Sequence, residues 1–151
     1  MPEISLSEFA DKLNQLMPAI IKEFARRQTN ELYKGKITLP QFLILGFLER
    51  GGESRMTDIA RFMGITTAAS TGIVDRLVRA GYTVRSYDIN DRRIIRMKLT
   101  QSGSILVKKV NKERRAMIID IFGKISQAER EKYLEILTHI YSILTAHQTR
   151  A

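Results

Sequence analysis

The sequence contains no cysteine. That excludes disulfides, thiolate metal sites and cysteine-based redox sensing, and it agrees with a reducing compartment. Histidine occurs only at His139 and His147, on one C-terminal segment without a carboxylate cluster beside them, which is poor material for a metal site or acid–base catalysis. No glycine-rich phosphate loop and no nucleophile motif is present, so the chain does not read as an enzyme. No apolar run approaches the roughly 18 residues that a membrane span requires. The opening stretch MPEISLSEFADKL has early acidic residues and no basic segment leading into an apolar core, so no signal peptide is expected. Internal repeats and low-complexity linkers are also missing. The expectation from these absences is a cytoplasmic protein with no cofactor.

What is present is an ordinary globular composition with an unusual charge. The 151 residues are 44% apolar and 27% charged, enough for one domain, which at this size buries on the order of 70% of its unfolded surface. The formal net charge is +9. Residues 55 to 100 hold nine Lys/Arg against four Asp/Glu, residues 1 to 50 seven against six, and residues 101 to 151 nine against five. The middle segment is therefore the most basic per residue, which favours a polyanionic partner, nucleic acid first and anionic membrane second.

That middle segment also has the most specific organisation. TDIARFMG reads as a short helix with Thr57 as its cap, Ile59, Ala60 and Met63 at helical spacing, and Gly64 as its stop. TTAASTGIVDRLVRAG reads as a second helix ended by Gly81, joined to the first through Gly64 and Ile65, a connection short enough to hold the two at a steep angle. The period then changes. Residues 82–87 and 94–99 are short and rich in β-branched or aromatic side chains, and the turn-forming run DINDRR separates them. The hairpin carries Arg85 before its turn and Arg92, Arg93, Arg96 and Lys98 at its tip and on its return strand. A basic hairpin directly after such a helix can straddle a phosphate backbone while the helix enters a major groove.

Long amphipathic segments flank this unit. Leu6, Phe9, Leu13, Leu16, Ile20 and Phe24 form one stripe across residues 5–33, with Pro18 inside it predicting a kink or a new first turn. Thr38 and Gln41 form a capping box that opens the next helix, with Phe42, Leu45 and Leu48 or Phe47 on its buried face and Gly51-Gly52 as its end. Thr100 caps a helix over 101–122, Gly123 breaks it, and Ser126 and Glu129 box the start of a last helix reaching about residue 146. Leu134, Leu137, Ile140, Tyr141 and Leu144 recur at helical spacing on one face of that last helix. The expected fold is mainly α with a small β-hairpin wing: a winged helix-turn-helix at 39–100, between an N-terminal dimerisation region at 1–38 and C-terminal dimerisation helices at 101–151, in a single intertwined domain. The terminal stripes exceed what one small winged-helix unit can cover. An intertwined homodimer would bury them and would present two recognition helices to successive major grooves.

The stretch VDRLVRAGYTVRSYDINDRRIIRMKLTQSG resembles the multiple antibiotic resistance regulator (MarR) family of bacterial transcription factors. The residues that carry the resemblance are Asp75-Arg76-Leu77, Gly81, Asp91 with Arg93, Leu99-Thr100 and Gly103. The order of elements matches over essentially the whole chain. The resemblance implies a dimeric DNA-binding regulator whose DNA affinity is changed by a small ligand, commonly an aromatic acid, held between the dimerisation helices and the DNA-binding part. Gly72 departs from the pattern, because many members carry a longer polar or basic side chain there, so their base preference does not transfer.

Taken from the residues alone, a recognition helix centred on Ile73 buries Ala69, Leu77 and Ala80 and turns Thr67, Ala68, Thr71 and Asp75 outward, at about 100° per residue. Small and hydroxylated side chains there permit close approach to base edges and thymine methyls. The expected DNA contacts are Thr66, Thr67, Ala68, Ser70, Thr71, Asp75, Arg76 and Arg79 on the helix and Arg85, Arg92, Arg93 and Arg96 on the wing. Arg92 and Arg93 suit an adjacent minor groove. Arg93 alternatively pairs with Asp75 or Asp91 to brace the wing. Lys108, Lys109, Lys112, Arg114 and Arg115 read as a solvated helix face. The partners expected are double-stranded DNA, a second copy of the chain and a small aromatic effector, with no membrane. The alternative is a winged-helix architectural or protein-interaction module without base-specific readout, which competition between DNA sequences separates from a regulator.

Overall fold

The computed structural model describes residues 4–27, 32 and 34–146. Within them the chain forms α1 (Leu6–Arg27), α2 (Leu39–Gly51), β1 (Ser54–Arg55), α3 (Met56–Met63), α4 (Thr67–Arg79), β2 (Thr83–Tyr87), β3 (Ile95–Leu99), α5 (Gln101–Phe122) and α6 (Gln127–Thr145). This is the expected mainly helical fold with a small wing. It divides into two compact units, Met1–Glu113 and Arg114–Ala151. The last residues of the N-terminal stripe segment (28–31 and 33) and His147 lie outside the described residues.

Local chemistry sets most of the boundaries. Thr38 Oγ1 accepts from the Gln41 amide at 3.3 Å while the Thr38 amide donates to Gln41 Oε1 at 2.8 Å, so the capping box opens α2 as its sequence requires. Gly52 closes it with φ +71°, its amide donating to the Leu48 carbonyl at 2.8 Å. Thr100 Oγ1 accepts from the Gly103 amide at 3.1 Å at the start of α5. α1 runs through Pro18 without interruption. One cap is corrected: α3 begins two residues early, with Arg55 at its N-cap and no side-chain hydrogen bond there, so Thr57 sits inside the first turn instead of capping it.

The core of the first unit lies between α2, α3, α4, β3 and the first half of α5. Ile44, Leu45, Ile59, Val74, Leu77, Met97 and Val110 are fully or almost fully withdrawn from solvent. Each such apolar side chain contributes about 1.5–3 kcal/mol relative to an exposed one. β3 is the central strand of a three-stranded antiparallel sheet of order β1-β3-β2. Its partners place Arg85 and Ser54 on either side of Met97, and Tyr87 opposite Ile95. β1 was not expected, since a two-residue strand leaves no alternation to read. It ties the α2–α3 connection to the wing.

In the second unit, Ser126 and Glu129 form the expected box at the start of α6, with the Ser126 amide donating to Glu129 Oε2 at 2.8 Å and the Glu129 amide to Ser126 Oγ at 3.3 Å. Phe122 and Tyr133 pack with ring centroids 5.4 Å apart. Leu134, Leu137, Ile140, Tyr141 and Leu144 on α6 remain exposed in the single chain, and so do Leu6, Phe9, Leu13, Leu16 and Ile20 on α1.

Candidate nucleic-acid interface

Three residues separate α3 from α4, and each has a definable task. Gly64 takes φ +64°, a conformation that costs a side-chain-bearing residue, and its amide donates to the Arg61 carbonyl at 3.1 Å. Ile65 donates to the Ala60 carbonyl at 3.1 Å. Thr66 then caps α4 by accepting from the Ala69 amide at 3.2 Å.

The rotation of α4 differs from the expectation. Ser70, Val74 and Leu77 form its buried face, whereas Ala69 and Ala80 are exposed and Ile73 is half-buried. The buried face is centred near Val74 instead of Ile73, because packing against α2, α3 and β2 chooses among apolar stripes that periodicity alone leaves nearly equivalent. Thr66, Thr67, Ala68, Gly72, Arg76 and Arg79 remain outward. Ser70 does not: it has no exposed surface, and its hydroxyl donates to the Thr67 carbonyl at 2.9 Å. It is a small core residue of the kind that lets a helix pack closely, and it is withdrawn from the expected DNA contacts. Thr71 is half-buried, donating to the Thr67 carbonyl at 2.8 Å. Thr67 and Thr71 line a cleft shared with Arg55, Thr57, Arg93 and Ile95, so the start of α4 and one arm of the wing are brought together.

On the wing, the arginines divide by their partners. Arg85 forms an ion pair with Asp75, joining β2 to α4. Arg96 grips Asp88, donating to Oδ2 from Nε at 3.1 Å and from Nη2 at 2.7 Å. This guanidinium is the main reason that the Asp88 carboxyl titrates below its ordinary value, with the Asn90 amide assisting, and Arg96 is itself pushed upward by the same bond. Arg93 binds Asp91 at 3.1 Å and lowers that carboxyl in the same manner. The two alternatives for bracing by Arg93 thus resolve within the tip, toward Asp91, while the helix-to-wing brace uses Arg85. Of the expected DNA contacts, Arg85 and Asp75 meet each other and Arg96 meets Asp88, so in the chain alone these charges brace the wing.

The cations left without a carboxylate partner among the described residues are instructive. Arg76, Arg92 and Lys98 have none, Arg79 reaches only the Asp75 carbonyl at 3.4 Å, and Arg93 keeps a side chain 92% exposed despite its bond to Asp91. Arg55 belongs with them and was missed. It faces the shared cleft from β1, and the only signal in the sequence is a basic residue standing immediately before a helix. Among the described residues no cluster of His, Cys, Asp or Glu could hold a metal ion, and no helix is long and apolar enough to cross a membrane.

Comparison with known proteins follows the same outline. The MarR family model matches residues 37–95. A MepR-like protein crystallised with pseudoligands is 30% identical, with 89% of this chain and 94% of that chain covered and a TM-score of 0.59. The HTH-type transcriptional repressor MdtR of Bacillus subtilis is 24% identical over 96% of this chain and 86% of its own length. FabT of Streptococcus pneumoniae, crystallised with DNA, shares the fold at a TM-score of 0.77 with 19% identity, covering 94% of this chain and 99% of its own.

Proposed function

The chain belongs to the MarR family of DNA-binding transcription regulators, and from that premise we propose that it acts as a homodimeric repressor on a pseudo-palindromic operator in double-stranded DNA. The observation that carries this reading is the pairing of an outward α4 face, small at Thr67, Ala68 and Gly72 and cationic at Arg76 and Arg79, with a braced wing ending in Arg92 and Arg93. In this reading α4 enters a major groove. The short side chains let its backbone approach base edges and thymine methyls, while Arg76 and Arg79 meet flanking phosphates. Arg92 and Arg93 then reach the adjacent minor groove, where narrow A·T-rich tracts concentrate negative potential.

The exposed apolar rows on α1 and α6 support a dimer built from residues 1–38 and 101–151 around the DNA-binding unit at 39–100. Two-fold symmetry then sets the half-sites about 10 bp apart, one helical turn. The FabT complex with DNA supports the partner, and the name of MdtR supports repression. The releasing signal in this reading is a small aromatic acid; a small ligand of some kind accords with the pseudoligands of the MepR-like protein, and the absence of any thiol here argues against a cysteine redox signal. Such a ligand must prefer the DNA-incompetent arrangement, and a coupling of about 1–3 kcal/mol would change operator affinity roughly 5- to 150-fold. Action on DNA inside the cell would place the protein in the cytoplasm.

The test is selection of bound duplexes from a randomised library, followed by competition against unselected DNA. A recovered two-fold-symmetric sequence, displaced by salicylate or another aromatic acid at constant ionic strength and unaffected by mild peroxide, is the expected outcome. Equal affinity for every sequence would instead favour the architectural reading.

A further inference from the structure

The tip of the wing carries an apolar side chain that the fold does not use. Ile89 is 98% exposed, the most exposed of the large hydrophobic side chains among the described residues, in a turn where polar residues and glycine ordinarily stand. Its backbone is nevertheless held on both sides. Asp88 donates its amide to the Ile94 carbonyl at 3.1 Å, accepts from the Asn90 amide at 3.0 Å, and is gripped by Arg96. Asp91 accepts from the Arg93 amide at 3.0 Å, and the Ile94 amide donates to the Asp91 carbonyl at 2.9 Å. The result is a hydrogen-bonded turn with one branched aliphatic group projecting from it, lining a shallow cleft together with Tyr87, Asp88 and Arg92.

We propose that Ile89 is an apolar wedge for the DNA minor groove, contacting sugar and base edges and prying at a flexible base step while Arg92 and Arg93, entering the same groove beside it, bring their charges against the flanking phosphates. This rests on the reading of the wing given above and adds a residue that carries no charge. Minor-groove proteins insert aliphatic side chains in this manner and bend the duplex by about 20–90°. The chemistry here favours DNA over other occupants. A protein partner would meet a single apolar residue among Asp88, Asn90 and Arg92, not the packed cluster that anchors an interface. A groove only about 6 Å wide, lined with negative potential, admits one such side chain with cations flanking it. Pyrimidine–purine steps, which unstack most readily, should be preferred at the contacted position.

The experiment uses the full chain and the duplex that the wild-type protein selects from a randomised library, carrying a fluorophore at each end, with an unselected duplex of equal length as control. Ile89→Ala is expected to weaken binding to the selected duplex by about 5- to 50-fold and to reduce the bend read by energy transfer, with the slope of affinity against salt unchanged because the same phosphates are still neutralised. Ile89→Leu should restore most of both. Arg92→Ala is the contrast, lowering affinity together with the salt slope. All three substitutions are at the surface and should melt like the wild type. If Ile89→Ala binds and bends the duplex like the wild type while Arg92→Ala weakens binding, the wedge is overturned and the wing reading survives. If neither substitution matters, or if the wild type selects no sequence, the wedge falls together with the reading on which it rests.

Discussion

Two helical glycines provide a test in which one substitution is expected to have opposite signs. Neither Gly72 on α4 nor Gly103 on α5 has a positive φ, so helix propensity alone predicts that alanine stabilises both, by up to about 1 kcal/mol. At Gly72 nothing lies within 4 Å of the position a Cβ would take, and that gain should be realised. At Gly103 the same methyl would overlap the Tyr82 carbonyl oxygen and stand 3.1 Å from Leu99 Cδ2. The start of the wing would have to move away from α5 by about an ångström, and such overpacking costs about 1–3 kcal/mol. The movement would also strain the bonds from the Thr100 amide to the Tyr82 carbonyl at 3.1 Å and from the Thr100 hydroxyl to the Gly81 carbonyl at 2.6 Å. Each is worth about 0.5–1.5 kcal/mol. Set against the propensity gain, Gly103→Ala should destabilise by about 3 kcal/mol, which for a chain of this size lowers the melting temperature by roughly 6–12 °C. Gly72→Ala should raise it by about 2–4 °C. Circular dichroism at equal protomer concentration measures both, since a dimer melts in a concentration-dependent way. Melting shifts of the same sign in the two variants would refute the steric argument. Gly72→Ala should in addition lower affinity for the selected operator, because its methyl enters the face proposed to meet DNA.

Three further outcomes are expected. Arg92→Ala should reduce the slope of log affinity against log salt by about 0.9 for each phosphate it ceases to neutralise, whereas Arg96→Ala should act by loosening the tip, seen as faster amide exchange at 88–94; equal exchange in both variants would argue against the brace. The Asp88 and Asp91 carboxyls are held below their ordinary value of 3.8, so their stabilising contribution is present above that pH and disappears as pH falls through the lowered values. Asp88→Asn should therefore weaken wing protection at pH 7 and flatten its acid dependence below pH 3.8, and an acid limb identical to that of the wild type would contradict the assignment. Light scattering at micromolar concentration should give twice the 17.3 kDa chain mass, and a clean monomer would remove the symmetric-operator argument.

Much of the fold was legible because its signals are local. A capping box needs only residues three apart, so Thr38 with Gln41 and Ser126 with Glu129 announced helix starts that the structure reproduces. Gly64 and Gly52 announced stops for the same reason, since the positive-φ backbone there favours glycine wherever it occurs. The hairpin was readable from a change of period, and the surplus of cations over residues 55–100 from counting. The family pattern combined these pieces into a fold.

What stayed hidden depends on partners distant in sequence. Periodicity defines the stripes of α4 but not which one faces inward; packing against α2, α3 and β2 selected Val74, and in doing so buried Ser70 and half-buried Thr71. The roles of Arg85 and Arg96 followed from where Asp75 and Asp88 came to lie, since an arginine is the same cation in sequence whether it ends at a phosphate or a carboxylate. β1 exists because β3 offers it hydrogen bonds, and Arg55 reaches the shared cleft through that pairing. Composition, caps, turns and net charge were therefore set by the sequence itself, through interactions spanning a few residues. Which face of the recognition helix is free, and which wing cations remain unpaired, was decided by tertiary packing, because both depend on groups that come together only when the chain closes on its core.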